Sequence, residues 1–231
     1  MNVSALVWIE MAHFTLVLVS VTLVRCFLLE RVTDESEYWW VGQHLEHRTL
    51  QLLPPQGCRL PRLRGQPEAE RARLWVRVNP LDGPYTLQDL AAVMPARPGG
   101  IMLPKTYGPE DVTLLDHYLS ALEVANGMEQ GATKVLALVT ETAQGMFTTG
   151  QYAGAPRLVA MSWGAEDLAD AVGASDNRNP DGSYGFTYEL ARSLCLLGAA
   201  AGGVEPIETI QGDFRDLEGL RRRAEKVRRD G

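Results

Sequence analysis

The sequence predicts an α/β fold, a TIM (β/α)8-type barrel read as incomplete, with five to six strands recognisable. Three observations predict it. From Trp75 onward, strand-like apolar runs alternate with helical stretches. Four of those runs end in polar, chemically capable residues: WVRVNP (75–80), GIMLPK (100–105), LALVTETAQG (136–145) and MSWGAEDL (161–168), with IETIQGDFRDLEGL (207–220) closing the series. Strands of a parallel sheet deliver functional side chains in this way, at their carboxyl ends. Finally, 45% hydrophobic and 22% charged residues over 231 positions suffice for a sizeable buried core.

In chain order, Phe14 to Val24 is an apolar, β-branched run followed by Arg25. It is too short for a membrane span of about 20 residues. The only earlier charged residue is Glu10, and no small-residue cleavage site follows, so the run reads as a buried strand and not a secretory signal. Residues 30–72 carry Trp39, Trp40, His44, His47, Pro54 and Pro55 without a clear period. His44 and His47 could share a helical face, but a pair without a third ligand reads as incidental. The arginines at 48, 59, 62, 64, 71 and 73 are interrupted by Pro and Glu and read as a solvated loop.

Strands are then expected at 74–79, 100–104, 134–140, 157–163 and 206–210. Helices are expected near 86–94, 110–126, 143–153, 165–172, 184–200 and 214–229. Pro109, Glu110 and Asp111 place proline and acids in a first helical turn, and Asn126-Gly127 supplies a stop. Asp213, with Asp216 three residues on, resembles an N-cap with a first-turn acid, and the last helix ends in cations that suit a helix C-terminus. Repeated βα units imply a parallel sheet, closed as a barrel or doubly wound. The barrel is preferred because Asn79, Lys105, Glu141 and Gly164 to Asp167 fall where the loops at one rim begin. The chain stops after a helix where one more strand is expected, so the barrel reads as incomplete.

A net charge of −7 argues against sequence-independent nucleic-acid binding, which needs clustered cations against phosphates. Three cysteines without a CxxC pair predict free thiols in a reducing compartment, hence a cytoplasmic protein with no membrane association.

Glu141 and Asp167 end adjacent strand units, so two carboxylates should meet at one rim. Hard oxygen ligands with room for water and substrate suit Mg²⁺. The competing reading is that Asp167 caps its helix while Glu141 pairs with Lys105 or Arg77. Glu166 is the rival ligand, although helix geometry turns only one of two consecutive acids inward. Arg77 shares a strand face with Trp75 and Asn79 and needs an anionic partner, either a structural carboxylate or one on a substrate. Lys105 reads as a salt-bridge partner or a substrate contact. Gly164-Ala165 before a helix offers backbone N–H groups to an anion, and Trp163 reads as packing.

Taken together, VRVNPLDGPY, GIMLPK, LVTETAQG, SWGAEDLADAVGA, YELARSLCLLGAAAGG and PIETIQGDFRDLEGLRRRAEKVRRDG resemble, in order and spacing, the citrate lyase β-subunit-like family of the HpcH/HpaI aldolase superfamily. The resemblance covers about residues 72–231. It implies a lyase on a barrel fold that binds Mg²⁺ and cleaves or forms a carbon–carbon bond in a 3-hydroxyacyl-CoA ester of the citryl-, malyl- or citramalyl-CoA type. The products are an acyl-CoA and a small oxo acid, and the assembly expected is a homo-oligomer, trimer or hexamer. By the same resemblance Glu141 and Asp167 match the metal-binding acids. Arg77 matches the catalytic arginine that holds the substrate carboxylate, and Gly164, Ala165 and Glu166 match backbone contacts to that carboxylate.

Relatives open with a strand reading roughly FVPG-x-x-P and a second ending LDLED, and close with one like AIHP; none appears here. The expected organisation is therefore an unassigned segment over 1–70, non-native to the family, and a partial lyase barrel over 71–231. Two alternatives accompany the lyase reading. One is a truncated, catalytically impaired member acting only as an oligomer component. The other is an aldolase on a free 2-oxo acid, disfavoured because GAEDL and FRDLEGL look like the CoA-ester branch.

Overall fold

Hydrophobic alternation along the strands decides how this chain is layered. A computed structural model describes residues 19–22, 25–26, 75–211, 213 and 215–231. Strands are β1 (Val19–Thr22), β2 (Arg25–Cys26), β3 (Trp75–Arg77), β4 (Gly100–Leu103), β5 (Lys134–Leu138), β6 (Leu158–Ser162) and β7 (Glu205–Ile207). Helices are α1 (Thr86–Val93), α2 (Pro109–Ala125), α3 (Ala165–Val172), α4 (Phe186–Gly202) and α5 (Leu217–Asp230). The strands form one sheet in the order β2-β1-β3-β4-β5-β6-β7. Only the short β2 runs antiparallel, as a hairpin partner of β1; every other pair is parallel.

From β3 onward, neighbours in the sheet are neighbours in the chain, with no reversal of order. A doubly wound sheet reverses at a switch point, whereas singly wound units follow one another as in a barrel. The side chains agree. Val76, Val78, Ile101, Leu103, Val135, Ala137, Val139 and Met161 pack with Leu90, Val93, Leu115, Leu119, Leu168 and Ala199 of the helices. The other face is a separate cluster made of strand residues alone: Trp75, Met102, Leu136, Leu138 and Ala160. Helices thus cover one face, and the opposite face is the barrel's inner side.

Local chemistry accounts for the element ends. At α2, Pro109 occupies the first turn, Asp111 Oδ2 accepts the Tyr107 N–H at 2.7 Å, and Gly127 with φ 62° ends the helix. Gly203, with φ 67°, ends α4 in the same left-handed way. The cap of α5 is Asp216, whose carboxylate accepts Gly219 N–H at 2.8 Å. Asp213, expected as that cap, instead turns back on Arg215 N–H at 3.0 Å.

The helix expected over 143–153 is two short 3₁₀ turns, Gly145–Phe147 and Thr149–Gln151. Thr142 Oγ1 takes the Gly145 N–H at 2.9 Å and Thr148 Oγ1 donates to the Tyr107 carbonyl at 2.7 Å. These hydroxyl bonds compete with a continuous helical ladder. Of the strand expected at 14–24, residues 19–22 form β1; the remainder, with Trp39, Trp40, His44, His47 and the arginines at 48–73, lies outside the described residues. Among the described residues no helix is long and apolar enough to cross a membrane, and Cys195 is a buried free thiol.

Candidate functional site

Each parallel strand from β3 to β6 ends at the same rim, and four charged side chains meet there. Arg77 is the last residue of β3, on the inner face with Trp75. Lys105 follows β4 through Pro104, Glu141 follows β5, and Asp167 stands in the first turn of α3, which Gly164 caps directly after β6. Arg77 Nη2 lies 3.5 Å from Glu141 Oε1 and 3.8 Å from Asp167 Oδ2. Glu141 Oε2 accepts the backbone N–H of Lys105 at 2.8 Å, and Lys105 Nζ reaches Asp167 Oδ1 at 2.9 Å.

The two carboxylates differ in environment. Glu141 is 4% exposed and Asp167 30% exposed. Burial pushes the Glu141 carboxyl up to about 7; Arg77 opposes that rise, the Asp167 charge adds to it, and the Lys105 N–H opposes it. Burial alone would lower the Lys105 ammonium, but its bond to Asp167 outweighs this and raises it.

The burial of Glu141 depends on a missing atom. A Cβ on Gly164 would stand 2.8 Å from Glu141 Cγ and 2.9 Å from Oε1, so only glycine leaves room for this carboxylate. Gly145 does the same for the loop behind it, where a Cβ would meet the Val139 carbonyl at 2.6 Å and the Thr106 carbonyl at 2.8 Å. Thr106 Oγ1 in turn donates to the Leu138 carbonyl at 2.8 Å, tying the loops after β4 and β5 together.

Because folding raises the proton affinity of Glu141, the folded chain holds more protons than the unfolded one between 4.5 and about 7. Stability therefore falls as pH rises through that window, the penalty being absent below the unfolded value and complete above the folded one. Metal-free urea denaturation from about pH 5 to about pH 8 should show this decline, and Glu141→Gln should flatten it. A wild-type-like slope in the variant refutes the attribution.

Of the predicted residues, the structure brings together Arg77, Glu141 and Asp167, with Lys105 joining them. Glu166 points to solvent, as consecutive helical positions require when Asp167 turns inward. Asp167 makes no capping bond at α3. The Gly164 N–H already reaches Thr140 Oγ1 at 3.4 Å, while Ala165 is buried at the helix start. Asn79, placed at this rim by its strand position, instead clamps α1: its backbone N–H and its Nδ2 donate to buried Asp89 Oδ2 at 2.8 and 2.6 Å.

Trp163 packs as expected, and its indole N–H is satisfied by Glu208 Oε1 at 2.7 Å. Glu208, at the end of β7, also takes Arg192 Nε at 2.8 Å, with Arg223 at 3.5 Å. It is the structural tie of that edge. The role of the Lys105 backbone was missed in the sequence; the Pro104-Lys105 step after an apolar run was the signal available for it. Among the described residues, no group of three or more His, Cys, Asp or Glu side chains is disposed to hold a metal. Two carboxylates do converge, and Mg²⁺ commonly takes only one or two from protein, leaving the rest of its shell to water and substrate. Two converging carboxylates, one buried and one partly open to solvent, offer hard oxygen donors with space for water and substrate beside them, so the donor set fits such a cation.

Comparison with known proteins places this geometry in context. Residues 59–231 match the family model described as HpcH/HpaI aldolase/citrate lyase. The chain is 34% identical over 157 residues to the citrate lyase subunit beta of Haemophilus influenzae, covering 68% of this chain and 52% of that protein. It is 38% identical over 109 residues to the malyl-CoA/beta-methylmalyl-CoA/citramalyl-CoA lyase of Chloroflexus aurantiacus, covering 46% of this chain and 31% of that one. The solved structure of protein CitE from Mycobacterium tuberculosis in complex with magnesium and acetoacetate superposes with a TM-score of 0.62 at 31% identity, over 75% of this chain and 66% of that chain. The chain spans about half the length of most of the curated relatives it matches.

Proposed function

This chain belongs to the HpcH/HpaI aldolase/citrate lyase family, and we propose that it serves a Mg²⁺-dependent carbon–carbon lyase acting on a 3-hydroxyacyl-CoA ester of the citryl-, malyl- or citramalyl-CoA type. The observation that carries the proposal is the convergence of Glu141 and Asp167 on one guanidinium, Arg77, at the carboxyl ends of β3, β5 and β6. Two relatives support it, a citrate lyase subunit and a CoA-ester lyase, together with the magnesium in the CitE complex.

In such a reaction the 3-hydroxyl loses its proton and the C2–C3 bond breaks. One fragment leaves as an oxo acid, and the electron pair remains on the thioester fragment as an enolate, which then takes up a proton. Glu141 and Asp167 would hold the Mg²⁺, which when bound supplies a Lewis acid and a template for oxygen ligands. Arg77 binds the carboxylate of the departing oxo acid and complements its charge throughout cleavage. The backbone N–H groups at the start of α3, on Ala165 and Glu166, face an anion with the positive end of the helix behind them. The unit proposed to carry the activity is residues 71–231, and the partners are an acyl-CoA and a small oxo acid.

The test is thermal melting with and without Mg²⁺. At metal concentrations about a hundredfold above Kd, binding adds about 2.7 kcal/mol, which for a chain of this size raises Tm by roughly 5–10 °C. Asp167→Ala should abolish that rise. An unchanged response to Mg²⁺ in the variant rejects the assignment.

A further inference from the structure

Lys105, like Arg77, touches both carboxylates of the site, and its backbone conformation explains how. It has φ 51°, one of three described non-glycine residues with a positive φ. The left-handed region is unfavourable for an L-residue and persists only where surrounding contacts over-determine it. Here it turns the Lys105 N–H onto Glu141 Oε2 at 2.8 Å while the side chain sends Nζ to Asp167 Oδ1 at 2.9 Å. The two contacts are unlike. The backbone bond ends on a carboxylate 4% exposed, whereas the side-chain pair is open to solvent at 41% for Lys105 and 30% for Asp167. A lysine ammonium on a flexible four-carbon stem can leave such a partner without disturbing the backbone.

We infer that Lys105 Nζ holds the Asp167 carboxylate until a divalent cation displaces it, so that Lys105 is a positioning residue that sets the metal affinity of the site. This rests on the assignment of Glu141 and Asp167 as the metal carboxylates. Charge balance gives the reason for displacement. With Arg77 and Lys105 in place the two carboxylates are already matched by two cations. A divalent cation added without movement would leave the cluster strongly positive. Releasing the exposed lysine lessens that excess, while Arg77 and the backbone bond to Glu141 keep the remaining geometry.

The experiment is isothermal titration of Mg²⁺ into the full chain and into Lys105→Met, Lys105→Arg and Asp167→Asn. A second neutral variant, Lys105→Gly, favours the left-handed conformation and keeps the backbone N–H, so it reports even if the methionine variant does not fold. Loss of the competing ammonium should tighten Mg²⁺ binding by about tenfold in Lys105→Met or Lys105→Gly, within the ordinary range of coupling between sites. Lys105→Arg should stay near wild type, and Asp167→Asn should lose binding. A merely structural role would weaken Mg²⁺ binding in the neutral variants, not tighten it. Unchanged or weaker binding there, with Asp167→Asn still losing it, overturns the inference and leaves the metal site standing. Wild-type binding in Asp167→Asn, or none in the wild-type chain, shows that the metal assignment has failed and the inference with it.

Discussion

Arg77→Lys is expected to lower kcat/KM for the proposed CoA-ester cleavage by a factor of roughly 10² to 10³, the range seen when one preorganised electrostatic contact to a developing charge is removed. The reason lies in shape more than in charge. Arg77 Nη2 sits 3.5 Å from Glu141 and 3.8 Å from Asp167, and it does so from a strand end whose backbone is paired into the sheet. A guanidinium at that place can keep these contacts with one edge and offer a second pair of N–H groups to a carboxylate. A lysine supplies a single rotating ammonium, which must choose between them. The loss should therefore appear in the turnover of a carboxylate-bearing substrate with Mg²⁺ saturating, measured by release of the acyl-CoA product. Activity equal to wild type in Arg77→Lys would sink the role.

The second large effect is on stability and lies away from the rim. Arg157 precedes β6, its side chain is 5% exposed, and each of its three guanidinium nitrogens has a partner. It pairs with Asp116, lies 2.7 Å from Glu123 Oε1, and donates to Ser120 Oγ at 2.8 Å and to the Thr133 carbonyl at 3.2 Å. Glu123 is completely buried and also accepts the Gly131 and Thr133 N–H groups at 2.8 Å each. Burial alone would raise its carboxyl, yet the Arg157 bond and those N–H groups hold it below the ordinary value.

Arg157→Met leaves that buried charge without its counterion, and the expected cost is about 3–5 kcal/mol. Urea denaturation near neutral pH measures it. Adding Glu123→Met in the same chain should recover part of the loss, because replacing both partners of a buried pair is far milder than breaking it. A single substitution costing no more than a surface change contradicts this account.

The contrast between rim and base shows what the sequence could reveal. Strand periodicity located β3 to β7 because their apolar alternation is local, and the polar residues that end them pointed to the rim for the same reason. Arg77, Glu141 and Asp167 could be named from their positions, since a side chain's direction on a strand or in a first helical turn follows from the backbone. The partners were another matter. Asn79 looked like a rim residue but serves Asp89, a contact made only when α1 folds back on the loop. The stretch 143–153 read as helix, yet Thr142 takes the Gly145 N–H within its own loop and Thr148 bonds across to the Tyr107 carbonyl. Lys105 was left between two readings because its left-handed backbone cannot be seen in a residue type that seldom adopts it. Arg157 was not singled out at all, because its four partners are scattered over 116–133.

The sequential order of the strands also bears on how the chain assembles. From β3 onward each parallel pair closes over the segment that joins its two strands, so the sheet can grow unit by unit, with Val76 meeting Ile101, then Ile101 meeting Val135, then Ala137 meeting Met161. From β3 onward the longest excursion is the last, where Met161 waits for Pro206 across α3, residues 173–185 and α4. Closure entropy grows slowly with length, about 0.6 kcal/mol per doubling, but it falls entirely on a strand that spans only Glu205–Ile207. The Glu208 tie to Trp163, Arg192 and Arg223 acts as the latch of this final step, made by the residue that follows the late strand.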